Sequence, residues 1–259
     1  QNRGPGRLGP RLRGRRRGRI VPAMLVAAAV CPCPPLLVPE VAAGAAPELD
    51  DLRAACLDAV GVLAAARPDR LVVLGPAPLD GRGPHPQGAR GSFRGLGVDL
   101  DVRLGQGAPA DGRELPQSLA VAAWLLDRTR WAVAPVEGLG VGEPLDPERC
   151  LAAGRELAGA DGRTALLVMG DGSACRTLKA PGYLDERAAG FDAEAARALG
   201  AADTAALAAL DTALAQELKA AGRAPWQVLA GAGEGAGLKG QLLYDEAPYG
   251  VGYFVATWS

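Results

Sequence analysis

Short apolar runs rich in Val, Leu and Ala alternate along the chain with longer Ala- and Leu-rich stretches of helical period. The short runs predict strands at 24–31, 70–75, 98–104, 131–136, 164–169, 241–244 and 252–257. The longer stretches predict helices at 48–66, 116–129, 147–158, 192–199, 204–221 and 224–230. This alternation is typical of the α/β class. We expect one layered domain over residues 24–259, with a mostly parallel central sheet covered by helices on both faces.

Two local signals refine this expectation. Asp192 stands at the start of a predicted helix, where an acidic side chain commonly accepts from free backbone N–H groups, and we predict that it caps this helix. Residues 82–91 are rich in Gly and Pro and predict a mobile loop rather than a linker between domains.

The first 23 residues differ in composition from the rest of the chain. They contain eight arginines, many Gly and Pro, and no acidic residue, so we predict a disordered extension. It is either an arginine-rich arm for an anionic partner or the mistaken translation of GC-rich DNA upstream of a true start at Met24, and we favour the second interpretation. Without the eight arginines, 20 basic residues face 29 acidic ones, a net charge of about −9. This balance argues against nucleic acid as a partner.

The five cysteines form an odd, scattered set, and no signal peptide precedes them. We therefore predict reduced thiols and a cytoplasmic location. The apolar run 20–30 is far shorter than the roughly 20 residues that a membrane helix needs. It predicts a buried strand, and we expect no membrane partner.

In an open α/β sheet, ligands bind beyond the carboxyl ends of the strands, so the residues that follow each predicted strand are the first candidates for a site. Several segments at or near these ends occur in a recognisable order. They read AVCPCPPLLVPEV (29–41), RLVVLGPAP (70–78), GSFRGLGVDLDV (91–102), LLVMGDGSA (166–174), APGYLDERAAGFD (180–192) and LLYDEAPYGVGYFVATW (242–258). Taken together, the set resembles a bacterial branch of the catalytic B-subunit superfamily of class III extradiol ring-cleavage dioxygenases, which includes the Memo family.

The resemblance implies a site where two His and one acidic residue hold Fe(II), with a further His as acid and base. Such a site leaves coordination positions open for a catecholate and for dioxygen. The implied function is that of an oxidoreductase that opens catechol-type rings with Fe(II) and O2. The implied partner is a small aromatic diol, with a homo-oligomer or a small partner subunit as further possibilities.

This sequence departs from the family pattern at its ligands, because the whole chain has a single histidine. Cys33 stands before Pro34 where the resemblance implies a His-Pro-Pro ligand. Ala77 and Pro78 occupy the place of the second ligand His. The catalytic His expected after the Met-Gly-Asp-Gly segment is absent, since Ser173 and Ala174 follow instead.

Other residues could rebuild a metal site. Some Memo-like members use a cysteine from the same late loop, and Cys175 falls near it. A site of Cys33, Cys175 and His85, with a carboxylate from Asp171, Asp245 or Glu246, suits zinc, copper or iron better than magnesium. It requires the loop 82–91 to fold inward. The alternatives are a lone, solvent-exposed His85 and an Asp171 that either orients a ligand or caps the following turn.

Three functional hypotheses follow. The first is an extradiol dioxygenase with Fe(II). The second is a catalytically silent descendant that uses the former site as a binding or scaffold module, with zinc or no cofactor. The third is metal- or redox-linked sensing through Cys33 and Cys175, which requires those thiols to lie close together and one of them to be ionised.

Overall fold

The computed structural model describes residues 24–259, so the predicted arginine-rich extension lies outside the described residues. The strands are β1 (Met24–Cys31), β2 (Arg70–Pro76), β3 (Gly83–His85), β4 (Arg90–Ser92), β5 (Asp101–Arg103), β6 (Val136–Val141), β7 (Arg163–Met169), β8 (Gly240–Glu246) and β9 (Tyr253–Trp258). The α-helices are α1 (Pro39–Ala42), α2 (Asp50–Ala65), α3 (Gln117–Arg128), α4 (Pro147–Ala158), α5 (Arg187–Ala201), α6 (Thr204–Ala208), α7 (Thr212–Glu217) and α8 (Arg223–Gly233).

Seven strands form the central sheet in the order β3-β6-β2-β7-β1-β9-β8, and β4 pairs with β5 in a separate two-stranded sheet. The four strands β6, β2, β7 and β1 run parallel to one another. The outer strands β3, β9 and β8 pair antiparallel. The fold is therefore α/β with a mixed central sheet whose middle is parallel, as the sequence pattern predicts.

Helices cover both faces of this sheet because the central strands are apolar on both sides. In β1, Ala27, Ala29 and Cys31 pack in one core with α2 and α3. Ala28 and Val30 alternate to the other core, which α4, α5 and α8 cover. The helix α3 is buried along almost its whole length, from Ser118 to Leu126. No helix of residues 24–259 combines the length and the apolar character that crossing a bilayer would require.

Five of the seven strand predictions are confirmed in the main sheet, at β1, β2, β7, β8 and β9. The strand predicted at 24–31 is β1 with the same bounds, and those at 164–169 and 70–75 are β7 and β2 within one residue. The prediction at 98–104 holds only for Asp101–Arg103, outside the main sheet. The strand predicted at 131–136 is wrong, since β6 begins at Val136.

The error at β6 has a packing cause. Trp131 is buried and donates from Nε1 to the carbonyl of Ala134, so its apolar neighbours form a turn after α3. The strand itself contains Gly138 and Gly140, which usually indicate a loop. A Cβ on Gly140 would lie 2.1 Å from the carbonyl oxygen of Gly81. Gly140 is thus required by the close approach of the segment before β3, not by flexibility.

The prediction of a mobile loop with an exposed His85 is wrong as well. Residues 83–85 form β3, the edge strand beside β6, and His85 is only 1% exposed. Its Nε2 lies 2.8 Å from the carbonyl oxygen of Gly81, and its Nδ1 has no hydrogen-bond partner among the described residues. A single three-residue strand gives too little periodic pattern to be recognised from sequence.

The helix predictions fail mainly at their ends. Residues 204–221 form two short helices, because Asp211 accepts a hydrogen bond from the Leu214 N–H and starts α7 anew. The helix predicted at 192–199 begins five residues earlier, at Arg187. Asp192 therefore does not cap the helix. It lies within α5 and is 1% exposed.

The contact between α4 and α8 allows a test of the packing with two glycines in helices. A Cβ on Gly154 would lie 2.0 Å from the carbonyl oxygen of Val228, whereas a Cβ on Gly190 would meet nothing within 4 Å. We expect Gly154→Ala to lower the free energy of unfolding by about 1–3 kcal/mol through overpacking. Gly190→Ala should raise it by about 0.5–1 kcal/mol, since alanine is the better helix former. Urea unfolding of both variants measures this, and the same sign for both would contradict the helix contact.

Candidate functional site

The carboxyl ends of β1 and β7 meet at the middle of the sheet, and we call this position the crevice because the topology predicts a ligand site there. The two strands pair in parallel, and the Gly170 N–H continues the ladder to the carbonyl of Cys31. The chain then leaves β1 toward the face of α2 and leaves β7 toward the face of α5. Neighbouring strands whose connections go to opposite faces create the crevice where open α/β sheets bind ligands.

Asp171 is the acidic residue of this crevice. Its Oδ1 accepts a hydrogen bond of 2.8 Å from the backbone N–H of Cys33, and its own carbonyl accepts from the Gly222 N–H. Burial raises the pKa of the carboxyl to about 6, although the bond from Cys33 opposes this. The side chain therefore changes protonation near neutral pH, which is the property required of an acid or base in catalysis.

Three cysteines lie beside Asp171, in the core that contains α2. Cys31, Cys33 and Cys56 are buried and unpaired. Burial raises the pKa of the Cys33 and Cys56 thiols, and the negative charge of Asp171 raises both further. A thiol with a raised pKa is a poor nucleophile and a poor metal ligand. The raised pKa therefore keeps the Cys33 and Cys56 thiols protonated.

One tyrosine, Tyr253, lies near Asp171, and Tyr244 and Tyr249 lie near Tyr253 in turn. Tyr253 is 3% exposed, and burial followed by the charge of Asp171 raises its pKa well above its usual range. Its hydroxyl makes no hydrogen bond with any residue of 24–259. Tyr249 lies farther out and donates to Glu48 at 2.8 Å, while the hydroxyl of Tyr244 lies 3.3 Å from Glu246. The crevice thus has a carboxyl acceptor, with a buried phenol near enough to feel its charge.

A buried network that the sequence pattern does not reveal supports the loop after β7. Asp192 of α5 accepts hydrogen bonds from the Ser173 N–H at 2.7 Å and from its hydroxyl at 2.8 Å. Arg176 adds a third bond at 3.1 Å. Gly172 and Gly252 make room for the carboxylate, because a Cβ on either would lie within 3 Å of its oxygens. The network fixes the loop that carries Asp171, a role that the local pattern around Asp192 and Ser173 does not indicate.

The five residues predicted to rebuild a metal site do not assemble. Only Cys33 and Asp171 are in contact. The Cys175 sulfur instead contacts the carbonyls of Gly182 and Leu218, in the core on the other face of the sheet from Cys33. Burial raises the pKa of the Cys175 thiol as well.

His85 and Glu246 lie on opposite sides of the crevice. Four strand spacings separate β3 from β1, which is about 19 Å along the sheet, and two separate β8 from β1, about 10 Å. Glu246 is exposed and Asp245 is exposed beside it. Within residues 24–259, no three His, Cys, Asp or Glu side chains form a group that could hold a metal ion. The family ligand set is therefore neither retained nor rebuilt in the described chain.

Comparisons with known proteins give a relation in fold only. No protein-family model matches the chain, and no curated protein matches it. One solved structure that is similar to this chain is an uncharacterized protein, JW3007, from Escherichia coli K12. Its TM-score is 0.51 at 14% identity, and the match covers 90% of this chain and 99% of that chain. At this identity, the likeness supports the α/β fold and leaves the activity to be argued from the site.

Proposed function

We propose that this protein is a binding module that holds a small hydroxylated ligand of the catechol class in the crevice between β1 and β7, without a metal. This is the second of the three functional hypotheses, the silent descendant, with named residues as its binding groups. The observation that carries it is the partly exposed Asp171, whose Oδ1 is held by the Cys33 N–H while its second oxygen has no hydrogen-bond partner among the described residues.

The residues of the crevice complement a diol. The second oxygen of Asp171 accepts a hydrogen bond from a ligand hydroxyl, and the Tyr253 hydroxyl donates or accepts beside it. The bond to the Cys33 backbone fixes the carboxyl in place before a ligand arrives. Binding therefore costs little conformational entropy at this side chain. Because a charged acceptor makes the stronger bond, we expect tighter binding above the Asp171 pKa of about 6 than below it.

Iron chemistry of the family type does not fit these residues. The position of the first ligand is Cys33, whose thiol stays protonated, and the single histidine lies four strands away on β3. Fe(II) sites that activate dioxygen use imidazole and carboxylate ligands. Asp171 supplies only one such group, too few to hold iron in the crevice formed by residues 24–259.

Titration of the full-length protein with catechol, by calorimetry and in the presence of a chelator, tests the proposal. We expect saturable binding at pH 7.5 that Asp171→Asn weakens about 10- to 100-fold, as the loss of one hydrogen bond to a charged group predicts. Tyr253→Phe should have a smaller effect in the same direction. Asp245→Asn, which removes an exposed carboxylate of β8, serves as the matched control and should bind like the parent protein.

Two further measurements separate this proposal from its rivals. The dimethyl ether of catechol keeps the ring but cannot donate, and equal affinity for both compounds would rule out recognition by Asp171. Added Fe(II) under air should cause no catechol-dependent oxygen uptake. Oxygen uptake that requires Fe(II) and is lost in Cys33→Ala would instead support the extradiol dioxygenase hypothesis.

A further inference from the structure

A second, apolar recess lies along β6 and the turn that follows it, on the face of the sheet that α4 and α8 cover. The recess has a volume of about 340 Å3, within the usual range of about 300–1,000 Å3 for small-molecule sites. Its apolar side chains are Leu139, Val141, Pro144, Leu145, Ala153 and Val228.

Arg82 is the charged residue among those that line this recess. It is exposed, and within residues 24–259 its guanidinium takes part in no ion pair or hydrogen bond. Most other arginines of the described chain, such as Arg187 and Arg197, pair with carboxylates. The charge of Arg82 is therefore available to a ligand.

Gly142 permits the guanidinium to lie at this place. A Cβ on Gly142 would be 2.5 Å from Nε and 2.8 Å from Cζ of Arg82. The side chain thus rests directly on the backbone at the end of β6, beside the apolar lining. A planar donor group next to an apolar cavity is the arrangement that recognises a carboxylate attached to a hydrocarbon body.

We infer that this recess binds a small organic monocarboxylate, with the carboxylate on Arg82 and the apolar body between β6, α4 and α8. The volume corresponds to about eleven waters at about 30 Å3 each, which limits the ligand to roughly ten non-hydrogen atoms. The lining offers no second charged group, so a dicarboxylate or a phosphate ester would leave charge unpaired in an apolar site. The site is independent of the catechol crevice proposed above.

Octanoate is a probe of this size, and octanamide is its neutral counterpart. In calorimetric titrations of the full-length protein, we expect saturable binding of octanoate at one site and at least tenfold weaker binding of octanamide. Arg82→Gln should reduce the affinity for octanoate to that for octanamide. Arg130→Gln removes an exposed arginine far along the chain from the recess and should leave the affinity unchanged.

Two variants test the geometry. Gly142→Ala displaces the guanidinium and should weaken octanoate binding without changing octanamide binding. Ala153→Phe fills the recess and should abolish the binding of both compounds, with thermal unfolding as the check that the variant is folded. Asp171→Asn should have no effect on octanoate, which keeps this result separate from the catechol experiment. Equal affinity for octanoate and octanamide, or an unchanged affinity in Arg82→Gln, would overturn the inference.

Discussion

Replacing Asp192 with alanine is expected to lower the free energy of unfolding by about 3–5 kcal/mol, the range found when one partner of a buried ionic network is removed. Asp192 is 1% exposed and accepts from the N–H and hydroxyl of Ser173 and from Arg176. Ser173 itself is fully buried. Its donors would therefore lose their acceptor in a place that water does not reach, and each buried unsatisfied group costs about 1–3 kcal/mol.

Urea unfolding at pH 7 measures this effect, with Asp192→Asn as the matched control. Asparagine keeps an acceptor for the Ser173 N–H and a donor for its hydroxyl oxygen, so we expect a loss smaller by at least half. Burial raises the pKa of Asp192 despite its three donors, which means that the charge itself is not the main source of stability. Equal losses for the alanine and asparagine variants would show that the hydrogen bonds to Ser173 contribute little.

The sequence predicts most strands of this sheet well and the margin formed by β3 and β6 poorly, for a physical reason. The strands β1, β2 and β7 are buried on both faces, so each one is a continuous apolar run with clear ends. β3 and β6 depend on each other instead. Gly140 of β6 is needed because the segment before β3 packs against it, and such a contact between distant segments leaves no periodic signal.

The candidate site is predictable to the same extent as the sheet. The rule that sites lie at the ends of parallel strands leads to Asp171 and Cys33, and these two residues are in contact. The rule cannot place His85 or Cys175. The local sequence pattern does not determine the order of strands across the sheet or the face on which each loop lies. For a related reason, the sequence does not predict the buried role of Asp192. Its hydrogen-bond partners lie outside its own helix, in the loop between β7 and α5.

Replacing Asp171 with asparagine is expected to stabilise the protein at neutral pH and to have no such effect in acid. The folded state raises the pKa of this carboxyl from 3.8 to about 6, so the folded protein holds the proton more tightly than the unfolded chain does. The stability associated with the proton is therefore complete below the unfolded pKa and is lost as the pH rises through about 6. At about 1.36 kcal/mol per unit, the ionised carboxyl costs up to about 3 kcal/mol above pH 7.

The measurement compares the unfolding free energies of the parent protein and Asp171→Asn between pH 4 and pH 8. All other titratable groups are common to both proteins, so the difference in unfolding free energy reports on Asp171 alone. This difference should rise through pH 4–6 and become constant above about pH 7. Asp161→Asn, in the exposed turn before β7, is the control for replacing a surface carboxylate. A pH-independent difference for Asp171→Asn would show that the carboxyl is not held in a destabilising environment.

The outcome bears on function, because binding sites often contain residues that lower the stability of the fold. If a neutral side chain at position 171 makes the protein more stable, the carboxyl lowers stability. Such a loss of stability is common where a residue serves binding or catalysis. The expected combination for Asp171→Asn is therefore a more stable protein at pH 7.5 that binds catechol about 10- to 100-fold more weakly. Greater stability with unchanged binding would show that Asp171 is only a destabilising loop residue. It would contradict the proposal that the crevice between β1 and β7 binds catechol.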